Sequence, residues 1–188
     1  MTVSTPDGVY TFGSGQAQQV PPSASGPGAA NDSTAKAIPG SLYRENGKVW
    51  RYVQFDNGVG NVAAVAGGAA VWKTLDPANG SFVVSSDYTD AIGKNLVAGV
   101  LGSVVTDLYY TYIQVGGIVT AALDFTNITG DKVANSTAGC KVAYYANDLK
   151  LSLIPATTNP AAIVYGVLIA TANYTAGTGS ILLQNLEW

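Results

Sequence analysis

Turn signals cut this chain into short pieces, and no piece repeats its apolar residues with a period of about 3.6 over three turns, as a helix would need. Asn46-Gly47 is the strongest signal. Both residues accept positive φ, so Ser41 to Phe55 reads as a β-hairpin. Its second arm alternates Val49, Arg51, Val53 and Phe55 against Trp50, Tyr52 and Gln54. Asn57-Gly58 marks the next turn. Val62 to Leu75 carries a small-residue run with Gly67-Gly68, and Asp76 to Gly80 is another turn before a short strand at Ser81 to Ser85. Asp87 to Lys94 reads as one helical turn or an irregular loop. Leu96 to Val105 is apolar but holds Gly99 and Gly102. Glycine disfavours helix, which predicts a buried, bent strand. Leu108 to Val115 is aromatic and β-branched, as strands prefer, and Ile118 to Leu123 continues it beyond Gly116-Gly117. Further strands are read at Lys141 to Tyr145, Leu149 to Ile154, Ile163 to Ala172 and Ser180 to Leu186. Roughly ten short strands at about 8–12-residue spacing predict an all-β domain, a β-sandwich or small β-barrel. No internal repeat is read from the sequence.

The composition shifts near residue 40. The preceding segment holds five of the eight prolines (Pro6, Pro21, Pro22, Pro27, Pro39), and its only charges are Asp7, Asp32 and Lys36. Such a segment cannot bury enough apolar surface to offset its ordering entropy. Residues 1–40 are therefore expected to be an extended Pro/Gly/Ser/Ala-rich arm, and 41–188 the β-rich domain. The arm's bulkier apolar groups, Val9, Tyr10, Phe12, Val20 and Ile38, are the expected anchors on a partner.

The chain has no histidine, one cysteine (Cys140) and two glutamates (Glu45, Glu187). Without histidine, Ser-His-Asp and Cys-His nucleophile systems are impossible within it, and zinc sites lose their usual ligands. Charged residues make up 11% against roughly 25% in an average soluble domain, so part of the surface is expected to be covered in an assembly. The net charge is −3 and no Lys/Arg cluster exists, which argues against nucleic-acid binding. The apolar runs are too short to span a bilayer, and residues 1–15 lack a basic and an apolar signal region, so we expect neither a membrane span nor a signal peptide. One cysteine forms no internal disulfide, and Cys140 reads as a buried, inert thiol.

Tyr109 to Gly117 (YYTYIQVGG) resembles a segment of the small decoration, or cement, proteins of tailed-phage capsids and related head-fibre bases. The order of segments around it is also similar to that family. Val97 to Val100 precedes it and Ile118 to Ala121 follows. Lys141 to Tyr144, Val164 to Ala172 and a closing Gly179 to Leu183 come later. The resemblance covers Leu96 to Gln184, while the N-terminal arm departs from the family's simplest members. It implies a β-rich domain, often a homotrimer, that binds the capsid exterior and stabilises the shell by bridging major capsid protein subunits. It implies no chemistry and no cofactor. The location implied is the virion, with assembly in the host bacterial cytoplasm.

Paired carboxylates are the catalytic device still open to this chain. The candidates are Asp87 with Asp90, and Asp131 or Asp148 with whatever partner the fold supplies. Nearly all aspartates stand in turn-like sequence, where a carboxylate serves the backbone instead. No calcium-loop spacing occurs, and no Gly-Lys-Ser/Thr follows Gly13-Ser14-Gly15 to make a phosphate loop. Neither a catalytic nor a metal site is expected. The tyrosines are the sharper candidates. Strand geometry puts Leu108, Tyr110, Tyr112 and Gln114 on one face and Tyr109, Thr111, Ile113 and Val115 on the other. Tyr109, Tyr110 and Tyr112 are expected to serve packing, capsid or subunit contact, or glycan stacking. The alternative function is a carbohydrate- or receptor-binding fibre module or another phage tail component.

Overall fold

A computed structural model of the chain describes residues 3–4, 9–12, 16–19, 26–90, 97–124, 138, 140–144, 151–154, 164–173 and 175–183. Among them the regular structure is all β apart from three short 3₁₀ turns. Strands β1 (Val3–Ser4), β2 (Val9–Phe12) and β3 (Gln16–Gln19) form an antiparallel sheet of their own. Ten more strands share a second sheet. They are β4 (Leu42–Glu45), β5 (Lys48–Phe55), β6 (Ala69–Asp76), β7 (Ser81–Ser85), β8 (Val97–Leu101), β9 (Tyr110–Asp124), β10 (Lys141–Tyr144), β11 (Leu151–Ile154), β12 (Val164–Leu168) and β13 (Thr178–Leu183).

The predicted hairpin is β4–β5. Asn46 (φ 50°) and Gly47 (φ 74°) both take the left-handed backbone that a tight turn between right-twisted strands requires. The stretch read as a helical turn or loop after Asp87 is a 3₁₀ turn at Tyr88–Asp90.

The larger sheet closes on itself. β5 pairs in parallel with β7. The pairings β7–β6, β6–β8, β8–β9 and β9–β5 are antiparallel, which completes a five-strand barrel. Of the two expected architectures, the domain takes the barrel, which removes exposed strand edges.

The remaining strands repeat that wiring. β9 pairs in parallel with β11, and the pairings β11–β10, β10–β12, β12–β13 and β13–β9 are antiparallel. The fifteen-residue β9 is thus the last strand of one ring and the first of the next. The correspondence extends to register. Ala70 faces Gly99 and Val142 faces Gly166, each beside a β-bulge. Leu101 faces Ile113 as Leu168 faces Ile181. Strands β8 (VAGVL) and β12 (VYGVL) even share four of five residues. The absence of a repeat read from sequence is corrected here: the chain contains a structural duplication.

The shared glycines have a reason. A Cβ at Gly99 would stand 2.6 Å from the Gln114 carbonyl oxygen, and one at Gly166 would stand 2.5 Å from that of Leu182. Only glycine lets these backbones approach so closely.

One apolar core runs through both rings. Val53, Phe55, Trp72 and Ile113 fill the first, and Leu123, Val142, Leu168 and Ile181 the second. Each large side chain removed from water contributes about 1.5–3 kcal/mol before entropy is counted. Cys140 is buried in this core, as its apolar setting predicted. Arg51 is also buried, with its guanidinium 5.8 Å from the Trp72 ring centroid.

Residues 26–40, the last part of the expected arm, lie against the barrel. Ala30 is buried, and Asp32 bridges to Tyr110 in antiparallel fashion. These residues form a strap across the outer side of β5 and β9.

Candidate interaction surface

The alternation read along β9 sorts its side chains. Ile113 and Val115 enter the main core and Tyr109 packs against it. Tyr112 joins Trp50, Tyr52 and Ala30 in a second apolar cluster outside the barrel wall, with Tyr43, Tyr110 and Ala37 at its margin. The Tyr52 and Tyr112 rings are tilted 53° with centroids 4.8 Å apart, and Tyr110 stacks on Tyr52 at 5.9 Å. Trp50 and Tyr52 alternate with Arg51 and Val53 along β5, as the hairpin pattern predicted.

The strap covers this aromatic face through specific bonds. Asp32 N–H donates to the Tyr110 carbonyl at 2.9 Å, and Tyr110 N–H returns a bond to the Asp32 carbonyl at 2.8 Å. Thr111 Oγ1 donates to the Ala30 carbonyl at 2.8 Å. Asn31 and Thr106 exchange two bonds, at 3.0 and 3.1 Å. Burial, more than any neighbour, pushes the Tyr52 phenol pKa well above its ordinary value. The Asp32 charge adds to the rise, while the Lys36 amide opposes it. Burial does the same to Tyr112, reinforced by Tyr52 and Asp32.

The expected partner contacts therefore occupy different environments. Tyr112 is fully buried, so it supports this surface from beneath and presents no ring to a partner. Tyr109 and Tyr110 are half-buried. Ile38 is 65% exposed. Val9, Tyr10 and Phe12 lie on β2, whose backbone pairs with β1 and β3; their side chains, and Val20 altogether, lie outside the described residues. Trp188, Asp131 and Asp148 also lie outside them.

Asp87 and Asp90 do meet, but around backbone amides. Asp87 Oδ2 accepts from Gly60 N–H at 2.8 Å, while its Oδ1 accepts from the Thr89 amide and hydroxyl at 2.9 and 2.6 Å. Asp90 Oδ2 accepts from Val59 N–H at 2.9 Å, Asp56 Oδ1 from Gly58 N–H at 2.7 Å, and Asp107 Oδ1 from Asn57 N–H at 2.7 Å. Lys73 Nζ bridges Asp56 and Asp90 at 3.0 and 3.3 Å. Four consecutive amides thus meet four different carboxylates. The Thr89 hydroxyl leads the groups that hold the Asp87 pKa below the usual carboxylate range, and burial only partly offsets it. Burial opposes the Asp56 charge, yet the Gly58 amide and Lys73 still leave its pKa lowered. This arrangement fixes the loop at 57–61 and leaves Val59 90% exposed at its tip. Among the described residues, no group of three or more acidic or cysteine side chains could hold a metal ion. No helix there is long and apolar enough to cross a membrane.

Sequence reasoning missed a further surface. On the outer side of the second ring, Ile118 and Leu182 face each other across β9 and β13 and are 51% and 47% exposed. Ile169, just past β12, is 43% exposed and pairs through its amide with the Ser180 carbonyl. The alternation Ile118, Thr120, Ala122 against Val119, Ala121, Leu123 carries the signal, once it is known which set faces the core. A shallow groove of about 450 Å³ also opens between the strap and the hairpin, lined by Gly26, Ala29, Lys48, Trp50 and Ser103 among others.

No family model, no curated protein and no solved structure matches this chain.

Proposed function

We propose that this chain is a structural protein of a tailed-phage particle. It self-associates, sits on the capsid exterior and bridges major capsid protein subunits without performing chemistry. The observation that carries this reading, through its self-association, is the outer face of β9 and β13, where the exposed Ile118 and Leu182 stand among Thr120, Ser180 and Thr178 without a charge on closed β-rings. Such a surface suits packing against protein, where depletion of charge marks the centre of an interface. The segment resemblance around Tyr109 to Gly117 supports the same reading. A homo-oligomer would multiply modest individual contacts through effective concentration. A glycan-binding module would present aromatic rings to solvent; here Trp50, Tyr52 and Tyr112 are buried, so that alternative gains no support from them.

The test is quantitative mass spectrometry of purified phage particles from the source of this chain. The expected result is a copy number in simple ratio to the major capsid protein. Absence from the particles would overturn the reading, and a few copies per particle would move the chain to a fibre or tail.

A further inference from the structure

We infer that the outer face of β9, β13 and β12 is the surface on which a second copy of this chain docks. The inference deepens the self-association in the proposed function and rests on that part of it alone.

The duplication supplies the argument. The pairs Trp50–Gln114 and Tyr52–Tyr112 on the first ring correspond to Ile118–Leu182 and Thr120–Ser180 on the second. The Asp32–Tyr110 bridge corresponds to Asn173–Thr178. On the first ring that bridge comes from the strap, and the strap buries the face behind it. On the second ring it comes from the β12–β13 connection, which turns straight back into β13 at Thr178. The same surface of the same wiring is therefore covered once and open once. Ile118, Leu182 and Ile169 mark the open one.

The chemistry of the face selects its occupant. Thr120, Ser180 and Thr178 surround the apolar residues, and no charged side chain stands on these paired positions. Apolar residues inside a hydroxyl rim, free of charge, make up the centre of a protein interface. With no charge on the paired β9 and β13 positions, identical surfaces can meet there without the like-charge repulsion that a chain of net charge −3 meets elsewhere on its exterior. Every copy carries this face at the concentration of the protein itself.

The experiment is light scattering on the full chain over a range of concentrations, with Leu182→Glu and Ile118→Glu beside it. The expected result is an oligomer that both variants reduce to monomer, with far-UV circular dichroism and melting temperature retained because both side chains are exposed. Val59→Glu, at the tip of the loop at 57–61, is expected to leave the oligomer intact. Should a glutamate on β9 or β13 disturb the fold, Ile169→Glu beyond the end of β12 supplies the same charge. A wild-type monomer at every concentration would overturn the inference, as would folded Glu variants that assemble like wild type. Particle binding separates this from the function. An oligomer that never joins particles overturns the decoration role and leaves the docking face standing; a particle-bound chain that is monomeric in solution does the reverse.

Discussion

The Tyr52 hydroxyl donates to Asp32 Oδ2 at 3.1 Å and accepts from the Lys36 amide at 3.0 Å. One side-chain atom on β5 thereby holds two points of the strap. The neighbouring Tyr112 hydroxyl, also buried, has no hydrogen-bond partner among the described residues. Two adjacent tyrosines should then respond differently to loss of their oxygens. Tyr52→Phe is expected to cost about 1–2 kcal/mol and to open residues 26–40 to proteolysis. Tyr112→Phe is expected to be neutral or stabilising, because it removes a buried group that lacks a bond. Chemical denaturation and limited proteolysis of the two variants check this.

The same two phenols set an alkaline limit. Burial raises both pKa values above the ordinary tyrosine value of 10.0, so the native state keeps protons that the unfolded chain releases. Their contribution is complete below about pH 10 and is lost as pH rises from there toward the folded values. We expect melting temperature to fall above about pH 10. Tyrosinate absorbance of these two rings should rise only with unfolding. Smooth titration of all eleven tyrosines in a still-folded chain would contradict it.

The loop at 57–61 sets the acid limit. The Asp56 and Asp87 pKa values are lowered in the folded chain, so their contribution is present above the ordinary value near pH 4 and is lost as pH falls through the folded values. Melting temperature is expected to drop below about pH 4. Asp87→Ala strands the Gly60 and Thr89 amides and is expected to cost about 2–3 kcal/mol near neutral pH. It should also flatten the acid branch of the profile. Asp87→Asn keeps one acceptor and is expected to cost less. Melting curves from neutral to acid pH check all three.

The duplicated glycines give a paired prediction. Gly99→Ala and Gly166→Ala each push a methyl into a backbone carbonyl of the next strand, at 2.6 and 2.5 Å. Each is expected to destabilise by about 1–3 kcal/mol, and by similar amounts. If Gly166→Ala were harmless while Gly99→Ala was costly, the second ring would not hold its strands as the first does. Denaturant midpoints of the two variants decide it.

Much of the fold was legible locally. Asn46-Gly47 announced its hairpin because the turn needs positive φ at both positions. The faces of β9 were legible because Tyr110 and Tyr112 alternate with Ile113 and Val115. The duplication was hidden because equivalent positions carry unlike side chains: Trp50 against Ile118, Tyr52 against Thr120. The bulge and the glycine contact repeat, and those are backbone features that composition does not display. Docking of residues 26–40 was hidden because much of it runs through backbone groups, those of Ala30, Asp32, Lys36 and Gly40. The aspartates were read as serving turns; what spacing could not give was that Asp87, Asp90 and Asp107 reach amides far along the chain.

Sharing β9 removes any seam between the two halves. A tandem pair of domains normally has a linker where a protease, a recombination event or a truncation can part them. Here Tyr110 to Gly116 of β9 wall the first ring and Gly117 to Asp124 wall the second, so a cut within either part takes strand pairing from that ring and bares an edge, and open edges invite aggregation. A gene fragment ending early in β9, before Gly116, would encode a chain whose β5 and β8 lack their partner strand and are prone to pair with neighbouring chains.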